Sequence, residues 1–288
     1  MRHRVAMGQS ALVALLLTGC AEGPRDAGFT AQALAAQMRE RPVVLLGEVH
    51  DNTEQHAVRA QALALLLKTG QRPALAFEQF DRQLQPDIDR VLAQAPADAV
   101  DQLVALGGHR WNWKLYRPFL ELALQYQLPI VAANLSRADA MRVSKDGFGA
   151  VFDGAAQREL GLDELPAELL LAQQQAVDEG HCHQMPPQML PALARAQIAR
   201  DATLARSISP YLQHGVILLT GNGHVRRDIG VPRFLPAQER DRVISIALVE
   251  RDHSDDEFPA DAFDAIFRTP VQRRVEPCQL LHRDELGR

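Results

Sequence analysis

The sequence predicts an α/β domain in which a mostly parallel sheet is flanked by helices and carries a helical insertion. Short apolar runs rich in Val, Ile and Leu are typical of buried strands, and they cover residues 42–47, 74–77, 129–133, 216–220 and 243–249. Helical patterns separate these runs, and such alternation favours a parallel sheet covered on both faces. From about 138 to 209 the helical patterns continue without a strand, which predicts the insertion.

The helices follow from capping and from the spacing of apolar residues. Thr30 is a suitable N-cap for an opening helix in "TAQALAAQMRE". In "EQHAVRAQALALLLKTG", Ala57, Ala60, Ala64 and Leu67 share one face, which we expect to pack against the sheet. "LPAELLLAQQQAVDEG" and "PQMLPALARAQIARDATLARSIS" are the main helices of the insertion, and the acidic "ERDHSDDEFPADAFD" is expected to be a solvated loop.

Length and charge restrict the class of protein. A chain of 288 residues that is 47% hydrophobic is sufficient for one large domain, which we assign to 30–288. The formal net charge is −5. Because phosphate binding requires a basic surface, this charge argues against a nucleic-acid partner.

The N-terminal segment "MRHRVAMGQSALVALLLTGC" has the features of a bacterial lipoprotein signal peptide, assigned to 1–19. A basic start precedes an apolar stretch that is too short to span a bilayer, and "LTGC" resembles a lipobox. This resemblance implies cleavage before Cys20 and its acylation, with 20–29 as lipidated cysteine and tether. We therefore expect a lipid-anchored protein of the bacterial cell envelope, with the bilayer as a partner. Ala21, where Asp would retain a lipoprotein in the inner membrane, favours the outer membrane; the alternative is a free cysteine after an ordinary signal peptide.

Two cysteines remain once Cys20 is acylated. In an oxidising compartment the default fate of Cys182 and Cys278 is a disulfide, whose loss should cost about 2–5 kcal/mol of folding free energy. Free thiols or a metal-binding role are the alternatives.

Polar residues follow three of the predicted strands, in "GEVHD", "FEQF" and "TGNGHVRRDIG". Because the carboxyl ends of parallel strands form a ligand-binding crevice, we expect these residues to meet at one rim. The set comprises Glu48, His50, Asp51, Glu78, Asn222, His224 and Arg226. A salt bridge from Glu48 or Glu78 to Arg226 or Arg227 is a structural alternative.

The same pattern, Gly-x-x-His, occurs at Gly47 to His50 and at Gly221 to His224. Glycine allows a sharp turn after each strand, and we expect both imidazoles to face the same crevice. Together with Glu78, His50 and His224 form a mixed His/Glu set of the kind that zinc, manganese or iron accepts. A divalent metal site is therefore one hypothesis for these three residues.

Several spaced motifs resemble the ChaN lipoproteins, the haem-binding branch of the Tiki superfamily. They are "LLGEVHDN", "FEQF", "PIVAANLSR", "HCHQMP", "AQIARDATLA", "TGNGHVRRDIGVP" and "EPC", and they extend from Val43 to Cys278. The resemblance implies a role in haem or iron uptake at the outer membrane, in contact with a receptor. It also implies a homodimer that encloses two stacked haems, in which a tyrosine ligates each iron and a histidine of the partner subunit helps to hold the propionates.

The chain has three tyrosines that this resemblance makes candidates for the iron ligand. Tyr211 borders the insertion and is the preferred candidate. Tyr116 lies in an aromatic cluster with Trp111 and Trp113, which is either a haem-facing wall or part of the core. Tyr126 has apolar neighbours and is expected to pack internally.

Histidines offer a second route to haem. His181 and His183 flank Cys182 in "HCHQMP", and imidazole is a common ligand of haem iron. His183 departs from the family pattern, which usually has glycine there, so it is either an exposed loop residue or a replacement for the tyrosine. Two residues apart on a helix, His181 and His183 would point to different sides and would not chelate one ion.

A haem-binding protein without enzymatic activity is the leading interpretation. The alternative is a metal-dependent hydrolase or peptidase of the Tiki/TraB or erythromycin-esterase-like type. In that interpretation His50, His224 and a glutamate hold the metal, and Glu48 or Glu78 acts as general base on a water molecule. A third interpretation treats the same residues as a buried polar network that fixes the strand ends of an envelope scaffold.

Overall fold

A computed structural model describes residues 25–26, 29–251, 258–259 and 261–274. The strands in this part of the chain are β1 (Arg25–Asp26), β2 (Val43–Leu46), β3 (Ala74–Asp81), β4 (Ile130–Asn134), β5 (Val216–Leu219), β6 (Val243–Glu250) and β7 (Ala265–Thr269). The helices are α1 (Ala31–Met38), α2 (Thr53–Lys68), α3 (Gln85–Gln94), α4 (Ala99–Leu106), α5 (Trp113–Gln125), α6 (Arg137–Asp146), α7 (Gly154–Glu159), α8 (Ala167–Gly180), α9 (Leu190–Ile208) and α10 (Asn222–Val225). None of these helices is both long enough and apolar enough to cross a bilayer.

The seven strands form one parallel sheet in the order β1-β7-β6-β2-β5-β3-β4, which confirms the predicted α/β class. Each of the five apolar runs is a strand. The sequence prediction missed β7, because its residues alternate between buried and partly exposed instead of forming a continuous apolar run. It also missed β1, which lies within the residues assigned to the tether and pairs with β7.

The core has two layers, one on each face of the sheet. Successive β3 residues alternate between them: Leu75 and Phe77 pack with helices α1 to α5, whereas Ala74 and Ala76 pack with helices α6 to α9. The segment predicted as an insertion therefore covers one face of the sheet together with residues 225–235 and 262–263. This two-sided cover explains why the central strands are apolar throughout.

The predicted capping of α1 is present, with Thr30 Oγ1 accepting a hydrogen bond from the Ala33 amide at 3.1 Å. The predicted face of α2 is wrong at its N-terminal end, where Ala57 is exposed and His56 and Arg59 are buried. A buried arginine is unusual, and here it has a specific carboxylate partner in the candidate site described below.

A register shift separates β3 from β4 near their carboxyl ends. Phe77 pairs with Ala132, and Asp81 pairs with Asn134. A step of four residues along β3 therefore corresponds to a step of two residues along β4. Such irregularities re-aim side chains next to functional sites. Glu78 lies within the shifted stretch, at the edge of the sheet where the predicted site residues converge.

Candidate functional site

The candidate site lies at the carboxyl edge of the three neighbouring strands β2, β5 and β3. We define the crevice as the space at this edge bordered by the following side chains: His50, Glu78, Trp111, Gln197 and His224. Parallel α/β proteins bind ligands at the carboxyl ends of strands, where successive connections of the chain leave in opposite directions along the sheet. The crevice lies at such a point.

Glu48 organises the first of two polar clusters. Its buried carboxylate accepts hydrogen bonds from Arg59 Nη1 and from the Tyr116 hydroxyl, and Oε1 lies 2.9 Å from Nδ1 of His50. His56 Nε2 lies 3.8 Å from Oε2, but burial lowers the pKa of His56 to about 4, so this imidazole is neutral. Arg59 therefore provides the charge that balances Glu48.

Glu78 and His224 form the second cluster. Glu78 Oε2 accepts hydrogen bonds from Thr220 Oγ1 at 2.6 Å and from the Gly221 amide at 2.9 Å. His224 lies between two buried carboxylates, with Nε2 3.6 Å from Glu78 Oε1 and Nδ1 2.6 Å from Asp201 Oδ1. Nδ1 of His224 thus has a hydrogen-bond acceptor, and Nε2 lies within ion-pair distance of a second carboxylate.

The electrostatics of this cluster favour a cationic histidine. Burial acts to lower the pKa of His224, but the carboxylates of Asp201 and Glu78 outweigh it, so the pKa is raised. Burial likewise acts to raise the pKa of Glu78, yet His224, His50 and the hydrogen bonds to Oε2 lower it to about 2. Gln197 Nε2 lies 3.2 Å from His224 Nε2 at the crevice side of the pair.

The two clusters meet at Gly221. A Cβ at this position would lie 2.9 Å from Cε1 of His50, and the Gly221 amide donates to Glu78. A Cβ on Gly47 would collide with the side-chain oxygen of Asn222. Gly221 has an ordinary φ of −68° and Gly47 has no positive φ, so neither position uses the left-handed conformation; both glycines allow close approach.

The remaining rim residues do not border the crevice. Asp51 pairs with Arg274 at 2.8 Å, and Asn222 hydrogen-bonds both the amide and the carbonyl of Leu248, so it extends the sheet. Arg226 makes two hydrogen bonds to Asp228, at 3.0 and 2.6 Å.

The salt bridges proposed between the site glutamates and the two arginines after α10 are absent among the described contacts. Glu48 pairs with Arg59, and Glu78 pairs with His224. Arg227 pairs with Asp264 at 2.5 Å.

The structure separates the three tyrosines. Tyr116 is fully buried and donates to Glu48, with an edge-on contact to Trp111, so it belongs to the wall of the site as well as to the core. Tyr211 precedes β5, and Tyr126 precedes β4 and lies against Arg72. Both therefore lie at the amino edge of the sheet, opposite the crevice.

His181 and His183 lie in the loop between α8 and α9. His183 is exposed and its Nδ1 lies 2.8 Å from Asp178 Oδ2; the Nδ1 of His181 contacts the Val177 carbonyl at 2.7 Å. From Asp201 to the start of α9 at Leu190 is about 16 Å at 1.5 Å per residue. The described side-chain contacts of these two histidines are with α8 residues, and none is with a residue that borders the crevice.

Two predictions concern residues outside the described part of the chain. Cys20 and Cys278 both lie there, so the acylation site and the Cys182–Cys278 disulfide stay predictions.

No group of three or more His, Cys, Asp or Glu residues in the described ranges is arranged to hold a metal ion. The set of His50, Glu78 and His224 fails because His224 already lies between two carboxylates, and Glu78 uses its other oxygen for Thr220 and Gly221. The three residues converge, but their hydrogen bonds go to other partners: His50 to Glu48, Glu78 to Thr220 and Gly221, and His224 to Asp201.

Sequence reasoning missed Arg59, Asp201 and Gln197 as members of the site. Asp201 lies within the motif "AQIARDATLA". This motif was the only feature of the sequence that pointed to it. Two arginines also border the site: Arg200 donates to Asn134 Oδ1 at 3.1 Å and to the Leu135 carbonyl at 2.8 Å, and exposed Arg110 lies close enough to influence its pKa.

Comparison with known proteins places this geometry in context. Residues 34–235 match the family described as "Haem-binding uptake, Tiki superfamily, ChaN". The solved structure of ChaN of Campylobacter jejuni with cofacial haem is 18% identical, with 82% of this chain and 90% of that chain covered and a TM-score of 0.64. A variant of the erythromycin esterase EreC in its open conformation is 14% identical, with 76% and 72% covered and a TM-score of 0.45. The type III effector HopBA1 is 12% identical, with 87% and 97% covered and a TM-score of 0.48. No curated protein matches the chain.

Proposed function

Since the chain belongs to the ChaN family of haem-binding uptake proteins in the Tiki superfamily, we propose that it binds haem at the crevice for haem or iron uptake. Bound haem would supply the iron that is taken up, and the residues of the chain bind and orient it.

The observation that carries this proposal is an aromatic and imidazole surface beside two arginines. The rings of Trp111 and His50 are in edge contact, with centroids 4.9 Å apart, and both side chains are partly exposed. A flat apolar macrocycle fits against such a surface, because aromatic rings bury large areas and impose geometry. The residues present therefore suit a porphyrin face.

Arg110 and Arg200 suit the carboxylates of haem. Burial is the main cause that lowers the pKa of Arg200, and the neighbouring Arg110 adds to it. The charges of both arginines also act to lower the pKa of Asp81, so both lie near the carboxyl end of β3. A propionate next to this pair would relieve the repulsion between two cations and form charge-assisted hydrogen bonds.

The cellular setting follows from the N-terminal sequence and the family. Acylated Cys20 would anchor the protein to the outer membrane, with the crevice exposed to the periplasm. Two copies would form a homodimer around two haems, and an outer-membrane haem receptor would be the source of the ligand. The lipobox-like "LTGC" supports the anchor.

A hemin titration tests the proposal. The chain from residue 21 onward contains every described element, and we expect a saturable Soret shift together with dimer formation in sedimentation. Changing Trp111 and Arg110 to alanine should weaken binding on the order of tenfold, which is about 1.4 kcal/mol. Arg117→Ala, on α5 where Arg117 pairs with Asp101 and Glu121, is the matched control. A titration without saturation would refute the proposal.

The hydrolase alternative is tested on the same preparation. Ester and peptide substrates are incubated with the chain in the presence and absence of added zinc or manganese. Turnover that disappears in both His50→Ala and His224→Ala would favour an enzyme over a binding protein.

A further inference from the structure

The amino edge of the sheet, opposite the crevice, is basic. A cavity of about 350 Å³ lies there, between the segments that precede β2, β3 and β5. The charged and imidazole side chains of its lining are all exposed, and they include a single acid: Arg39, Glu40, Arg41, Arg72 and His214. We call the three arginines and the histidine of this lining the amino-edge cluster.

The arginines of the amino-edge cluster have no carboxylate partner in the part of the chain that the structure describes. Arg41 donates to the backbone carbonyl of Asp241, and Arg72 donates to backbone carbonyls near the end of α2. Glu40 instead accepts a hydrogen bond from Gln37. Because the whole chain has a formal net charge of −5, this group of uncompensated cations is a local exception that attracts anions.

An apolar cavity of about 590 Å³ lies beside the amino-edge cluster. Its lining comes mainly from the ends of α3 and α5 and the start of α4, and it includes Leu92, Ala95, Pro96, Ala99, Leu124 and Leu128. Arg72 connects the two cavities, since its guanidinium carbon lies 4.9 Å from the ring centroid of Tyr126, and the next residue, Gln127, lines the apolar cavity. Cationic and apolar surface side by side suits the headgroup region of a bilayer, whereas a soluble anion would use the arginines alone.

The N-terminal segment joins the sheet at the same edge. All strands of the sheet are parallel, so the chain enters β1 from the amino edge. Five residue steps separate Cys20 from Arg25, which is about 17 Å for a fully extended chain. In the strand order β1 lies three positions from β2, or about 14 Å at the usual strand spacing. An acyl chain on Cys20 would therefore hold a bilayer close to the amino-edge cluster.

We propose that the amino edge of the sheet docks on the anionic phosphate surface of the bilayer that holds acylated Cys20. The amino-edge cluster contacts lipid phosphates, and the apolar cavity faces the boundary between headgroups and acyl chains. The anchor provides attachment, and the basic surface provides orientation. The crevice then points away from the membrane, where haem and a second copy of the chain have access to it. This inference rests on the anchor that forms part of the proposed function.

Vesicle sedimentation of the chain from residue 21 onward measures docking without the acyl chain. We expect binding to vesicles of phosphatidylethanolamine mixed with phosphatidylglycerol, weak binding to phosphatidylcholine vesicles, and release as the salt concentration rises. Arg39→Gln and Arg72→Gln together should weaken binding on the order of 10–30-fold. Arg82→Gln and Arg137→Gln together, which remove two exposed arginines after β3 and β4 at the carboxyl edge, are the matched control and should leave binding unchanged. Circular dichroism checks that both pairs of variants are folded.

Orientation is measured with vesicles that carry a nitroxide on the lipid headgroup, which quenches nearby tryptophan. Gln71→Trp adds a fluorophore to an exposed position at the amino edge, and Arg82→Trp adds one at the carboxyl edge. The native Trp111 and Trp113, in and next to the segment before α5, give the background. We expect the nitroxide to quench the added fluorescence of Gln71→Trp and to leave that of Arg82→Trp unchanged.

The outcomes separate this inference from the proposed function. Equal binding to both kinds of vesicle, or binding unchanged in the Arg39 and Arg72 variant, overturns the docking surface. Competition by inorganic phosphate at constant ionic strength assigns the amino-edge cluster to a soluble anion and also overturns it. Quenching of Arg82→Trp instead of Gln71→Trp overturns the orientation. Vesicle binding combined with an unmodified Cys20 in the mass spectrum of the envelope protein overturns the anchor and supports the docking surface.

Discussion

Glu78 should make the stability of this protein depend on pH in a specific window. Its pKa falls from 4.5 to about 2 in the folded protein, because the favourable contacts with His224, His50, Thr220 and Gly221 outweigh burial. Folding therefore favours the ionised form, and the resulting stabilisation is complete above about pH 5 and is lost as the pH falls towards about 2. At 1.36 kcal/mol per pKa unit the full contribution is about 3 kcal/mol, of which about 2 kcal/mol is lost by about pH 3.

Denaturant unfolding of wild type and Glu78→Gln at about pH 6 and about pH 3 measures this contribution. The free energy of unfolding of the wild type, minus that of the variant, should fall by about 2 kcal/mol between the two conditions, because glutamine does not titrate. Glu54→Gln removes an exposed carboxyl at the start of α2 and should show no such change. An equal pH dependence in wild type and Glu78→Gln would refute the reasoning.

Three further changes probe the packing beneath the crevice. Arg59→Met leaves Glu48 buried without its cation and should cost about 3–5 kcal/mol in denaturant unfolding, part of which Glu48→Gln should restore in the double variant. Tyr116→Phe removes a donor to the same carboxylate and should cost about 1–3 kcal/mol, whereas Tyr126→Phe should change stability by less than about 0.5 kcal/mol; equal effects would contradict the assigned hydrogen bond. Gly47→Ala should lower the melting temperature by an amount equivalent to about 1–3 kcal/mol, because its Cβ would collide with a fixed asparagine side chain.

The strand ends of the site were predictable because parallel strands deliver their carboxyl ends to one edge. Glu48 and His50 follow β2, His224 follows β5 and Glu78 lies near the carboxyl end of β3, and the structure brings all four together. Their partners were not predictable in the same way. Arg59 lies on α2, where a single basic residue reads as an ordinary surface charge, and its burial depends on how the helix docks.

In the fold, too, elements with a local sequence pattern were predictable, and elements that depend on tertiary contacts were not. Continuous apolar runs identified the central strands, but β7, with one face half-exposed, has no such pattern. The bulge that places Glu78 depends on the pairing of β3 with β4, which no single segment encodes. The resemblance-based choice of Tyr211 illustrates a further limit of sequence reasoning, because position along the chain does not tell which edge of the sheet a residue occupies.

The close approach of backbone and side chains at Gly47 and Gly221 has an evolutionary consequence. With no room for another side chain in the floor, substitutions there disturb His50 or the sheet itself. The walls, formed by the segment before α5 and the first half of α9, tolerate exchange because most of their side chains are at least partly exposed. Relatives that acquire a different ligand are therefore expected to diverge first in these walls, and to inherit the floor nearly unchanged.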